Sequence, residues 1–389
     1  MSISSIKIAV IGAGIGGLAA ARALALRGAD VTVLEQAAEI DEVGAGLQIS
    51  PNGFAVLRAL DLGDAIAERS MKGQGVQLLD YRGRDVVRLD LSKLDDAKGY
   101  YFVHRADLID VLAGGARAAG VKIRLLQKVE HVVAAQKPEI HFANGAMQHA
   151  DLIVGADGLH SRLRPVLNTK AAPFFTGQVA WRATVPNRFG FGSEVRLFMG
   201  PKRHLVSYPL RDGELINLVA IQERRTWADE GWQHRDNAQN LRAAFADFCP
   251  EAQDLLRDVQ NPGLWGLFRH PVAETWVGKG MALVGDAAHP TLPFMAQGAN
   301  MALEDAWVLA EQLSRGADIS NGLAAYQAMR KPRVKRVIAA ANGNAWKYHL
   351  SFGPMRFAAH SVLRLGAKIA PERLLHQFDW IYDHDVTAQ

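Results

Sequence analysis

Residues 8–11, Ile-Ala-Val-Ile, make an unbroken apolar run of the kind a strand buried on both faces shows, and it stops at Gly12-Ala-Gly14-Ile-Gly16-Gly17. Residues 18–27 are rich in Ala and Leu and lack Pro, which predicts a helix closed by Gly28. A second strand is predicted at 31–34, with Glu35 at its end. Residues 43–52 carry too many glycines for an element interior and predict a loop in close approach to something, followed by a helix from about 53 to 62 that Gly63 ends. Residues 71–91 break at Gly83 into strand-like runs, a hairpin that interrupts plain βαβ alternation and points to an inserted second sheet.

An amphipathic helix at 108–119 follows, with Asp107 placed to cap it, then a strand at 121–125 and a hairpin of 129–133 with 139–142. Residues 151–158 repeat the opening theme of an apolar run ending in small residues and an acid. Strand-like runs at 179–185, 195–199, 204–210 and 215–222, with Asp212-Gly213 as a hairpin signal, predict a second sheet, followed by a helix at 238–248. Residues 281–286 return to the first theme, before a proline-bearing loop, Gln297-Gly-Ala-Asn300, a helix at 301–313 and a helical pattern from 321 onward. The fold class predicted is α/β: a Rossmann-like three-layer dinucleotide-binding domain in three parts, 1–70, 101–176 and 269–320. An inserted mixed β-sheet substrate domain takes 71–100 and 177–268, and a C-terminal helical region takes 321–389.

The 389 residues, 49% hydrophobic, suffice for a large core and about two domains. The first apolar run breaks too early for a signal sequence and no run is long enough to span a bilayer, so a cytoplasmic protein is expected. Cys249 is the single cysteine, which leaves no internal disulfide and no cysteine-based zinc site; the 13 histidines show no metal-ligand spacing, and no metal is expected. Net charge is +4, but 330–373 hold ten Lys or Arg against one acid, Glu372. This basic tail reads either as a solvated helical face or as an attractor for an anionic cofactor, a protein or a membrane surface.

Strand, glycine turn, helix, strand and acid is the order a bound dinucleotide requires. Gly12 permits the tight turn, Gly14 lets backbone approach a pyrophosphate, and Gly17 lets helix and strand pack, while Glu35, 21 residues beyond Gly14, suits ribose hydroxyls. This motif does not choose between NAD and FAD.

With GAGIGG at 12–17, ADGLHSRLR at 156–164 and GDAAH at 285–289 in this order, the chain resembles the single-component flavoprotein aromatic hydroxylases. Within them it is similar to the branch of salicylate hydroxylase and 3-hydroxybenzoate 6-hydroxylase, over essentially the whole chain from Gly12 to the WIYDHD run at 380–385. The resemblance implies FAD held non-covalently, with Gly12, Gly14 and Gly17 at its pyrophosphate, Glu35 on the ribose and Arg105 on the phosphates. It further implies a backbone contact of Val129 to the adenine, Gln48 facing both ring and substrate, and Asp286 on the ribityl and pyrophosphate. Gly298, Ala299 and Asn300 match the helix N-terminus under the flavin pyrimidine. Asp157, Gly158, Ser161 and Arg164 match a motif used for FAD and for transient NAD(P)H contact.

The implied activity is an NAD(P)H- and O₂-dependent monooxygenase acting on a small electron-rich aromatic or heteroaromatic ring, hydroxylated and possibly carboxylated, through a flavin C4a-hydroperoxide. NADH or NADPH enters as a transient co-substrate, and the chain lacks a second GxGxxG to hold it. Partners implied are the aromatic substrate, O₂ and NAD(P)H, with a homodimer allowed and no nucleic acid. An electrophilic oxygen attacks a phenolate fastest, so a base near the substrate hydroxyl is expected. His204 and Tyr208, four apart on a strand, share one face; the resemblance matches them and Gln297 to a substrate-contacting histidine, tyrosine and glutamine. A packed strand histidine with a core tyrosine is the alternative. His289 is read as structural, bonding the backbone, and Arg182 either as a partner of an anionic substrate or coenzyme or as a solvated strand charge. Other functions open to these motifs are a flavin oxidase or dehydrogenase without oxygen insertion, and a non-catalytic FAD-fold binding protein of the Rab-escort type.

Overall fold

A computed structural model of the chain describes residues 3–4, 6–40, 45–93, 99–169, 171–224 and 234–388; Val43 and Gly44 of the glycine-rich loop lie outside them. The first apolar run becomes the strand Lys7–Ile11, inside a six-stranded sheet. It pairs in parallel with Asp30–Leu34 on one side and Leu152–Gly155 on the other, and Leu152–Gly155 pairs in parallel with Met281–Leu283. Ile8 through Ile11 are all buried, as a strand covered on both faces requires. Because Lys7–Ile11, Leu152–Gly155 and Met281–Leu283 are parallel neighbours, their carboxyl ends share one edge. That brings Gly12, Asp157 and Gly285, far apart in sequence, into one crevice, where open α/β sheets bind ligands.

Helix Ile15–Ala25 covers this sheet with small residues and packs on helix Gly298–Arg315. A Cβ at Gly16 would stand 3.3 Å from that of Ala302, so the two helices are close because both present small residues. Leu18 and Leu24 are fully buried; truncation of either to Ala costs roughly 2–5 kcal/mol.

The second sheet has seven strands, in the order Gly263–Arg269, Phe174–Pro186, Leu215–Glu223, Arg203–Leu210, Glu194–Gly200, Gly75–Asp80 and Asp85–Asp90. It is mixed: Glu194–Gly200 and Gly75–Asp80 run parallel, and the other pairs are antiparallel. The hairpin expected before residue 91 thus joins it, with Gly83 at φ +81° in the turn. Leu79, Trp181, Phe198 and Leu205 pack beneath the sheet against Phe245 and Phe248.

Several local expectations are corrected. Gly46–Ile49 is a strand, not a loop, because Tyr101–His104 pairs with it. Its glycine does serve a close approach, since a Cβ at Gly46 would come within 2.6 Å of the Tyr208 ring. The helix expected from 53 starts earlier, at Pro51–Ala59, and Gly63 opens a second short helix, Gly63–Glu68, instead of only closing the first. Asp107 does not cap the Arg105–Ala118 helix: the cap position is His104, and the Asp107 carboxylate pairs with Arg211 at 2.9 Å. The helix expected at 238–248 ends early, as Ala238–Ala244, and a separate helix, Pro250–Arg257, follows with Pro250 in its first turn.

The basic tail is only in part a solvated face: Lys335, Lys368 and Arg373 are exposed, but other cations of the run are bound to the core. Arg330 is 1% exposed and bonded to Glu304 at 2.6 Å and Asp305 at 2.8 Å, and Arg333 reaches Glu304 at 2.7 Å. Arg336 stacks on Trp380, and Arg364 donates to the Asp85 carbonyl. Arg330, Arg333, Arg336 and Arg364 therefore help fasten helix Ile319–Ala345 and the C-terminal segment onto the rest of the chain. Among the described residues, no helix is long and apolar enough to cross a membrane.

Candidate active site

The glycine turn is built by exclusion. A Cβ at Gly12, where φ is +101°, would stand 2.6 Å from the Ala156 carbonyl oxygen, and one at Gly17 would run into the Gly12 carbonyl. Gly14 differs: it is the N-cap of Ile15–Ala25, and no heavy atom lies within 4 Å of where its Cβ would be. Glu35 closes the turn from behind, accepting the Ala13 amide at 2.8 Å and the Ala37 amide at 2.9 Å. Each carboxylate oxygen keeps a second lone pair for a ribose hydroxyl. The Glu35 carbonyl accepts from the Gln127 amide at 2.7 Å, which sets Val129 two residues beyond, its side chain buried in the core.

A second helix N-terminus meets the first. Gly298–Arg315 starts after Ala296, which turns the chain at φ +52°. Gly298 and Ala299 line the same cavity as Gly14 and Gly16. Asn300 turns away: its amide accepts from the Ser50 N–H at 3.1 Å and donates to the carbonyls of Gln48 and Ala296. Neither helix carries an acid in its first turn. Gly285 is held by its amide to Asp305 at 3.0 Å, and His289 by Nε2 to the same carboxylate at 2.5 Å, so His289 ties the loop to a buried carboxylate, not to the backbone as the sequence suggested.

Asp286 projects from this loop onto the cavity. Its walled surroundings push its carboxyl up from the usual range, against the pull of His289, Arg105 and His270. Arg105 lines the cavity too, with its guanidinium brought down to about 10 by burial and by Arg182, against Asp286. Asp157 bonds the Arg162 amide through one oxygen and keeps the other buried. Ser161 accepts the amides of Leu163 and Arg164, and Arg164 donates to the carbonyls of Ala287 and Pro271. Ser161 and Arg164 therefore shape the loop and brace it against the Asp286 loop. Two uncapped helix N-termini and a guanidinium suit a pyrophosphate, and Asp286 suits sugar-alcohol hydroxyls, so the residues present fit FAD.

The cavity, of about 340 Å³, has its other wall on the seven-stranded sheet. His204, Val206 and Tyr208 line it together, as alternate residues of Arg203–Leu210. Arg182, on Phe174–Pro186, joins them, its guanidinium 5.4 Å from the centre of the Trp265 ring. Burial lowers the Arg182 pKa, with Tyr208 opposing. Arg182 is thus a cavity residue, not a solvated strand charge. Burial pushes the Tyr208 hydroxyl up to about 12, against the influence of Arg182, Asn217 and Gln48. Burial, then His349, carries the His204 imidazole well below its ordinary range. Both are therefore neutral near pH 7, Tyr208 as a donor and His204 with one nitrogen bare.

Gln48 lines the cavity and accepts the Tyr100 hydroxyl at 2.7 Å. Gln297 lines it as well, yet its amide is engaged elsewhere, accepting from Asn52 at 3.1 Å and donating to Ser50 at 3.0 Å. Two further residues, His349 and Glu223, join the site without any mark in the sequence. His349 lies on the turn Trp346–His349, with its Nε2 2.6 Å from His204 Nδ1 and its Nδ1 3.0 Å from Glu223 Oε1. No spacing signals this contact, since the two histidines are 145 residues apart.

A family model described as FAD binding domain matches residues 5–341. The chain is 33% identical to 3-amino-4-hydroxybenzoate 2-monooxygenase PtnB3 of Streptomyces platensis, over 97% of this chain and 95% of that one. It is also 33% identical to 3-hydroxybenzoate 6-hydroxylase of Klebsiella oxytoca, over 87% and 88%. Among solved structures, Klebsiella pneumoniae HpxO complexed with FAD and uric acid superposes with a TM-score of 0.81 at 26% identity, over 94% of each chain.

Proposed function

The chain belongs to the FAD binding domain family and is an FAD-dependent aromatic-ring monooxygenase, and from that premise we propose that it hydroxylates a small phenolic ring bearing a carboxylate, using NADH or NADPH as reductant. One observation carries this reading. His204, Tyr208 and Arg182 share the sheet wall of the cavity whose other wall is Gly14, Gly16 and Gly298. FAD supplies the oxygen-activating chemistry; the residues of this chain place and ionise the ring.

In this reading the ring hydroxyl donates its proton to His204 Nε2, the nitrogen not engaged by His349. Transfer raises electron density on the ring, which is what attack by an electrophilic oxygen needs. Tyr208 donates to an oxygen of the substrate, and its raised pKa keeps that proton on at neutral pH. Arg182 meets the carboxylate, an arrangement worth most away from water. Gln297 acts as a positioning residue, since its amide fixes Ser50 and Asn52 beside the Gly46–Ile49 strand. The relatives' hydroxylated benzoates favour a benzoate here over a neutral phenol.

The test is oxidation of NADH and NADPH by the purified, FAD-loaded protein in the presence of hydroxybenzoates, hydroxynicotinates, urate and quinone precursors, with peroxide measured alongside. Strong stimulation by one hydroxybenzoate with little peroxide is expected. Slow oxidation yielding only peroxide with every compound sinks the reading, and stimulation by carboxylate-free rings alone removes its acid part.

A further inference from the structure

We infer that His349 and Glu223 form a relay that fixes His204 as the base and carries the substrate proton to the protein surface. The inference rests on His204 being the group that receives that proton. His204 is 2% exposed and its free face lies on the cavity that the bound ring occupies, so a proton taken from that ring needs an exit. His204 Nδ1 lies 2.6 Å from His349 Nε2, and His349 Nδ1 lies 3.0 Å from Glu223 Oε1. The Glu223 side chain is 38% exposed, so the row ends in solvent.

The scaffold holds the row in place. Leu215–Glu223 is the strand beside Arg203–Leu210, and the Lys202 backbone ties both outer members: its carbonyl accepts the Glu223 amide at 2.8 Å, and its amide donates to the His349 carbonyl at 3.1 Å. Phe294 and Tyr348 pack against the His204 ring. Gln178 lies 3.4 Å from His349 Nδ1, the longer of that nitrogen's two contacts.

The order of protons follows from the outer end. An ionised carboxylate only accepts, so His349 Nδ1 carries the proton it donates to Glu223. His349 Nε2 is then the acceptor, and His204 Nδ1 must be the donor. This leaves the lone pair of His204 on Nε2, the nitrogen available to the cavity. Neither imidazole is suited to hold a charge, since burial lowers both pKa values. A proton passes through without resting there.

Every bond in the transfer balances. The ring O–H breaks as His204 Nε2–H forms; His204 Nδ1–H breaks as His349 Nε2–H forms; His349 Nδ1–H breaks as Glu223 Oε1–H forms; Glu223 then gives one proton to water. Reprotonation of the product oxygen runs the path in reverse and restores the starting tautomers.

The experiment mixes the FAD-loaded enzyme with 3-hydroxybenzoate, 3-amino-4-hydroxybenzoate and 6-hydroxynicotinate in weak buffer containing a pH indicator, in a stopped-flow instrument. Flavin absorbance reports binding and the indicator reports the proton. Wild-type enzyme should release about one proton per bound ring. His349→Leu and Glu223→Gln should bind with the same flavin perturbation and release that proton at least roughly tenfold more slowly. Glu223→Gln can still accept from His349 but cannot carry the proton away, and its half-exposed position spares the fold. Added imidazole should restore the rate of His349→Ala, which a purely structural role would not allow. Release at the wild-type rate in both His349→Leu and Glu223→Gln overturns the relay while leaving His204 as base. A flavin perturbation without proton release in wild-type enzyme removes the base itself, and no perturbation with any of the three rings overturns the phenolic reading from which the relay starts.

Discussion

The Glu35 carboxylate accepts the Ala13 amide at 2.8 Å, so the acid that ends the second strand is bonded to the middle of the glycine turn. If the same carboxylate takes ribose hydroxyls, as proposed, ribose recognition and turn geometry are coupled through one side chain. Glu35→Ala should loosen the turn and remove the ribose acceptor together, lowering FAD affinity by roughly ten- to a hundredfold, the worth of one or two charged hydrogen bonds. Fluorescence of FAD released on dilution reads this directly. Retention equal to wild type would show that the carboxylate serves only the turn.

Substitutions at Gly14 and Gly17 should separate cofactor binding from folding. Gly14 has no heavy atom within 4 Å of where a Cβ would stand and sits at φ −76°, so Gly14→Ala should fold with stability within about 0.5 kcal/mol of wild type. Its methyl group would nonetheless occupy the space that the pyrophosphate approaches, and FAD content after purification should fall. Gly17→Ala places its methyl against the Gly12 carbonyl and should lower the melting temperature itself. Circular dichroism melts and the ratio of flavin to protein absorbance distinguish the two outcomes.

Arg330 faces two carboxylates, Glu304 and Asp305, in the core. Burial alone would raise the Asp305 pKa, but His289 and Arg330 hold it at about 2, below its ordinary 3.8. A depressed carboxyl stabilises the fold above its unfolded value, and this contribution is lost as pH falls from about 3.8 toward about 2. The loss should be on the order of 2 kcal/mol in denaturant unfolding followed across that window. Arg330→Met leaves the Asp305 carboxylate without its guanidinium and should cost roughly 3–5 kcal/mol near neutral pH, lowering the melting temperature markedly. An unchanged melting temperature would mean that the carboxylates take up protons at little cost.

The parts of the site that are legible in the sequence are those that local backbone demands. Gly12, Gly17 and Gly285 must be small where they stand, because neighbouring atoms of the chain close on them. His204 and Tyr208 can be placed on one face because a strand alternates strictly. What escapes are meetings between distant segments. His349 reaches His204 across 145 residues, and nothing near His349 marks it as different from a packed turn histidine. The charge of 330–373 misleads for the same reason, since counting along the chain cannot show that Glu304 and Asp305 lie beneath Arg330. Arg182 is open to two readings until the sheet places it beside Trp265 and the cavity.

Arg182 gives the sharpest test of the substrate class. It is a guanidinium on the sheet wall of the cavity, near Tyr208, whereas Arg105 lies between Arg182 and Asp286. If Arg182 meets a substrate carboxylate, Arg182→Met should raise KM for a hydroxybenzoate by roughly ten- to a hundredfold, the value of a buried charged hydrogen bond, with FAD content unchanged. Arg182→Lys keeps the charge but not the planar fork and should fall between the two. A phenol lacking the carboxylate should be used no worse by Arg182→Met than by wild type, because that substrate has nothing for the guanidinium to hold. Steady-state kinetics of the three proteins on the matched pair of rings gives the comparison. An equal loss on both rings would assign Arg182 to the shape of the cavity and remove the carboxylate from the proposed substrate.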